Sequence, residues 1–112
     1  MQAIINTKFI MHYLGSGSSF IDSIESKGYK LRIPKVVLEE LKDISNNVKS
    51  SVSDKELSRE ALKIFSDKKR FKRIDLGHGM ISESLVSKSD EGYFIGTLDK
   101  EINRVIKNKL VF

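Results

Sequence analysis

Four side chains have the residue type and placement to act on a ligand: Asn6, Glu40, Ser82 and Asp99. Open parallel sheets bind ligands beyond the carboxyl ends of their strands, so polar residues at those ends are the ones to weigh. Asn6 closes the apolar run Ala3-Ile4-Ile5, and Asp99 follows a second apolar run through Gly96-Thr97-Leu98. Glu39 and Glu40 stand in the helix after Ile33, and helical geometry separates them. At about 100° per residue, Glu40 lies about 80° from the centre of the stripe Val37, Leu41, Ile44, on the shoulder that meets the sheet edge. Glu39 points away from it. The same construction puts Ser82 on the shoulder of the helix carrying Ile81 and Leu85, with Glu83 facing away. A metal-binding cleft calls for a carboxylate at that shoulder, and a hydroxyl stands there.

Each of these residues also has an ordinary use. Asn and Asp are favoured helix N-caps, so Asn6 and Asp99 fit helices starting at Thr7 and Lys100. Glu40 taken alone reads as a solvated helix residue. Thr7 and Thr97 close behind the strands suit a phosphate, a neighbouring carboxylate or a simple turn.

Composition narrows the chemistry further. The 112 residues contain no cysteine, which removes disulfide scaffolds, cysteine zinc sites and cysteine nucleophiles. His12 and His78 lack metal-ligand spacing and read as surface or packing residues. Gly15-Ser16-Gly17 lacks the lysine and the preceding strand of a nucleotide-triphosphate loop. Lys plus Arg exceed Asp plus Glu, 20 to 15, and the net charge of +5 favours an anionic partner, nucleic acid first. Two basic stretches fit that partner. Lys68, Lys69, Arg70, Lys72 and Arg73 surround Phe71, a pattern suited to a single-stranded RNA backbone with an aromatic to stack on a base. The same cations also suit a solvated helix end. Lys100, Arg104 and Lys107 stand at i, i+4 and i+7 on the last helix, where Lys100 and Arg104 are nearest the ligand edge.

The elements that must position these residues alternate. Strands are expected at 3–5, 29–33, 73–76 and 93–96. Helices are expected at 8–14, 19–27, 34–45, 54–67 and 79–87, and in a final segment whose inner stripe is Leu98, Ile102, Val105 and Ile106. Pro34 takes the first helical position, where its missing N–H is harmless. Val48 extends the stripe of that helix, and 46–53 is a polar surface loop. Strands alternating with helices imply an α/β domain over 1–112, a mostly parallel sheet covered on both faces. No run approaches the roughly 18 apolar residues of a membrane span. The first six residues lack the basic start and apolar stretch of a secretory signal, so a cytoplasmic location is expected.

Four segments, in order and with fitting spacings, resemble the PIN domain, the small metal-dependent ribonuclease fold. Ile4-Ile5-Asn6-Thr7-Lys8-Phe9-Ile10 stands where the family has a strand ending in Asp-Thr-Asn-Phe-Ile. Ile33-Pro34-Lys35-Val36-Val37-Leu38-Glu39-Glu40-Leu41 is similar to its proline and Val-Leu-x-Glu-Leu helix. Ile81-Ser82-Glu83-Ser84-Leu85-Val86 occupies a helix that opens with one or two Asp. Ile95-Gly96-Thr97-Leu98-Asp99-Lys100-Glu101-Ile102 resembles the final strand and its Asp. The likeness is nearest to the archaeal and eukaryotic ribosomal-RNA processing branch.

The resemblance implies a three-layer α/β/α fold, an endoribonuclease acting on single strands, and three or four carboxylates around Mg²⁺ or Mn²⁺. It assigns Glu40, Asp99 and Asn6 to the metal and Ser82 to the same catalytic set. Only Glu40 and Asp99 keep a charge. A divalent cation about 4 Å from a carboxylate gains roughly 8 kcal/mol at an effective dielectric near 20, before dehydration costs. With Asn6 and Ser82 in place of two acids, cleavage is expected to be weakened or lost. The family also implies other roles: a non-catalytic fold binding RNA or a protein in ribosome maturation, the toxin of a toxin–antitoxin pair, and a homodimer.

Overall fold

The computed structural model describes residues 1–17, 19–77 and 79–112; Ser18, in the Gly/Ser break, and His78 lie outside the described residues. The chain runs β1 (Gln2–Ile5), α1 (Thr7–Gly15), α2 (Phe20–Ser26), β2 (Lys30–Pro34) and α3 (Lys35–Asn46). It continues α4 (Val52–Ile64), β3 (Lys72–Ile74), α5 (Ile81–Asp90), β4 (Phe94–Gly96) and α6 (Lys100–Val105). The strands stand in the order β3-β2-β1-β4, and every neighbouring pair is parallel. All four carboxyl ends therefore share one edge of the sheet.

Period-two alternation sorts the strand residues between two cores. Ala3 and Ile5 of β1 join Leu31 and Ile33 of β2 in the larger one, beneath Phe9, Phe20, Ile24, Val37, Leu41 and Phe65. Ile4 and Ile95 face the opposite side, against Leu85 of α5 and Ile102 of α6. Helices α1 to α4 thus cover one face and α5 and α6 the other, the three-layer α/β/α arrangement read from the sequence.

Two local features fix how β4 packs. Gly96 lies opposite Ile5 in the ladder, where a Cβ would stand 2.8 Å from Ile5 Cγ2 and 3.1 Å from Phe9 Cζ, so only glycine lets these elements approach. Beyond α6 the chain returns along β4, with Leu110 N–H donating to Ile95 O. Buried Ser89 fixes that return: its Oγ accepts from Asn108 N–H at 2.8 Å, and its carbonyl accepts from Asn108 Nδ2 at 3.0 Å.

Several boundaries differ from expectation for identifiable reasons. Pro34 is the last residue of β2, extended at φ −61°, ψ 140°, and caps α3 from outside. Val48 is 87% exposed and lies beyond that helix. The fourth helix starts at Val52, within the expected loop, because Ser51 Oγ accepts from Asp54 N–H at 3.0 Å and caps it. It stops at Ile64, before the expected end. The strand expected at 73–76 is Lys72–Ile74, and the helix expected at 79–87 is Ile81–Asp90. Helix α6 ends at Val105, so Lys107 is not on it. Of the expected inner stripe, Leu98 and Val105 are exposed while Ile102 and Ile106 are buried.

Candidate functional site

At the carboxyl edge, Asn6, Glu40, Ser82 and Asp99 line one cleft of about 380 Å³, together with Thr7, Lys8, Ile81, Leu85, Leu98 and Ile102. The residues arrive from β1, α3, α5 and the β4–α6 connection, so the parallel topology alone assembles them.

Hydrogen bonds fix their directions. Asn6 caps α1: its Oδ1 accepts from Phe9 N–H at 3.1 Å, while its Nδ2 donates to Thr97 Oγ1 at 2.8 Å. Thr97 Oγ1 also accepts from Asp99 N–H at 3.2 Å, so one hydroxyl joins the ends of β1 and β4. Asp99 caps α6, its Oδ1 accepting from Glu101 N–H at 2.9 Å and Ile102 N–H at 3.3 Å. Glu40 is half-buried and its Oε1 accepts from Thr7 Oγ1 at 3.1 Å, whereas Glu39 is exposed. Asn103 Nδ2 bonds the Thr97 carbonyl at 3.0 Å and holds α6 to the strand end.

No family model and no curated protein matches the chain. Solved structures do. The structure of the PIN domain endonuclease Utp24 superposes with a TM-score of 0.68 at 22% identity, over 92% of this chain and 74% of that one. This chain has the PIN-domain fold. The crystal structure of VapBC2 from Rickettsia felis, bound to a DNA fragment from their promoter, gives a TM-score of 0.46 at 20% identity, over 95% of this chain and 77% of that one. That second likeness is too loose to bear on the fold.

Within this PIN fold the oxygen-bearing side chains of the cleft are two carboxylates, one amide and two hydroxyls, those of Thr7 and Ser82. Among the described residues no three of His, Cys, Asp and Glu come together as a metal-holding group. The Asn6 Oδ1 is engaged by Phe9 N–H, and the other end of that side chain is an N–H donor, which repels a cation. The set does not fit the three or four carboxylates that the resemblance implies around Mg²⁺ or Mn²⁺.

The basic segment before β3 is placed differently from its expected role. Residues 68–71 enter β3 at its amino end, on the sheet edge opposite the cleft. Phe71 is only 1% exposed and packs edge-to-face on Phe65 with ring centroids 5.0 Å apart, so it has no face free for a base. Arg70 is held by acids of α2: its Nε donates to Glu25 Oε1 at 3.0 Å and its Nη2 to Asp22 Oδ1 at 3.2 Å. Hydrogen bonding to Glu25 raises the guanidinium above its ordinary value, against an opposing effect of burial. Half-buried Arg73 turns back on the Phe71 carbonyl at 2.9 Å. Lys68, Lys69 and Lys72 remain exposed. On α6, Lys100 follows the cleft's Asp99 directly, and Arg104 pairs with Glu101 at 3.1 Å.

Lys8 lines the cleft and was not singled out by its spacing in the sequence. Its position directly after the Asn6-Thr7 strand end was the available signal. Among the described residues no helix is long and apolar enough to cross a membrane.

Proposed function

We propose that this protein is an RNA-binding PIN fold of endoribonuclease type whose metal-dependent cleavage is weakened or lost. One observation carries the reading: the cleft at the carboxyl edge has the carboxylates of Glu40 and Asp99, but its other two candidate ligands are the uncharged Asn6 and Ser82. Two missing charges remove roughly half the electrostatic attraction for a divalent ion, while the fold that receives a strand is kept. The net charge of +5 supports an anionic partner.

Glu40 and Asp99 are the remaining residues for Mg²⁺ or Mn²⁺, with Asn6 contributing at most a carbonyl oxygen. Binding and cleavage separate in a pair of measurements on one preparation. Filter binding of single-stranded RNA at several salt concentrations is expected to give an affinity that falls with log salt, by about 0.7 per phosphate contacted. Incubation of the same RNA with Mn²⁺ is expected to leave it largely intact. An affinity flat against salt removes the RNA-binding reading, and rapid Mn²⁺-dependent cutting removes the loss of catalysis.

A further inference from the structure

Three exposed lysines stand at the start of the helices that leave the ligand edge. Lys8 is the second residue of α1, Lys35 the first of α3 and Lys100 the first of α6. They follow β1, β2 and β4, which are adjacent in the sheet. Strand spacing near 4.8 Å spreads the three positions over about 10 Å along that edge.

For α1 and α3 the placement runs against local stability. The first turn of a helix favours acids and disfavours cations, by about 0.3–1 kcal/mol each at exposed sites. Neither helix has an acid in its first turn. No salt bridge engages Lys8, Lys35 or Lys100 among the described residues, in contrast to Arg70, Lys88 and Arg104. Lys8 lines the cleft itself, and Lys35 lines a smaller hollow that shares Ile81 with it. Lys68, Lys69 and Lys72 are equally free of salt bridges among the described residues, so position separates the two groups: Lys8, Lys35 and Lys100 follow the carboxyl ends of three adjacent strands beside the cleft, while 68–71 precede β3 at the opposite edge.

We infer that the single-stranded RNA backbone crosses the carboxyl edge of the sheet on Lys8, Lys35 and Lys100, and not on the 68–73 segment. The inference rests on the RNA-binding reading above and names the contacts that reading requires. These lysines offer point charges to phosphates and no base readout, so the binding they give is indifferent to sequence.

The test compares the unaltered protein with two triple variants, Lys8→Ala/Lys35→Ala/Lys100→Ala and Lys68→Ala/Lys69→Ala/Lys72→Ala. Each removes three exposed cations, so the net charge is matched. A single-stranded RNA of mixed sequence is titrated across a salt series. The first variant is expected to bind about tenfold or more weaker, with a log–log salt slope shallower by about 2, as three lost contacts require. The second is expected to keep nearly the original slope. Equal losses in both variants, or a loss confined to the second, overturn the inference while leaving RNA binding in place. No salt-dependent binding by the unaltered protein overturns both.

Discussion

Asn6 and Thr97, 91 positions apart, meet through a 2.8 Å hydrogen bond from the Asn6 amide to the Thr97 hydroxyl. That hydroxyl also receives the Asp99 backbone N–H, so a single oxygen ties together the two strand ends that bear Asn6 and Asp99. The Asn6 amide is thus part of the scaffold of the cleft.

Removing that oxygen is expected to loosen the edge. Thr97→Val keeps the shape but leaves the Asn6 and Asp99 donors without their acceptor, at a cost of about 1–3 kcal/mol. Urea unfolding should show a lower midpoint at unchanged slope. Thr97→Ser, which keeps the hydroxyl, should recover most of the loss.

Close packing beside the same residue gives a second expectation. Gly96→Ala would place a methyl 2.8 Å from Ile5 Cγ2 and 3.0 Å from Leu110 Cδ2. Overpacking of this kind costs about 1–3 kcal/mol. A melting temperature several degrees lower is expected, and an unchanged one would mean that β1 and the returning chain yield freely.

Phe71 separates packing from recognition. Phe71→Ala should destabilise the fold by about 3–5 kcal/mol, since the ring is buried against Phe65. RNA affinity measured below the unfolding transition should be unchanged. Reduced affinity in the fully folded variant would restore a stacking role.

Glu40 was legible in the sequence because a helix has a rigid period: once Val37 and Leu41 mark the buried side, the directions of Glu39 and Glu40 follow. Asn6 and Asp99 were legible as residues ending apolar runs, and the parallel sheet then brings those ends together. The role of 68–73 was not legible. The burial of Phe71 depends on where β3 enters the sheet, and Arg70 is taken up by acids of α2, Asp22 and Glu25, more than forty positions earlier. Lys8 and Lys35 carry no periodic signal, and only the common edge of β1 and β2 relates them. The early start of α4 was open to reading, since Ser51 and Asp54 have the spacing of a helix cap.

The central proposal is that metal-dependent cleavage is weakened or lost for want of two charges at the cleft. Both replacements are compatible with the fold: aspartate caps α1 as well as asparagine does, and an acid at the second residue of α5 suits that helix's dipole. The decisive measurement is calorimetric titration with Mn²⁺ of the unaltered protein and of Asn6→Asp/Ser82→Asp. The account predicts no saturable binding at millimolar metal for the first, and saturable binding within that range for the second. Saturable binding by the unaltered protein, or none by a folded double variant, would contradict it.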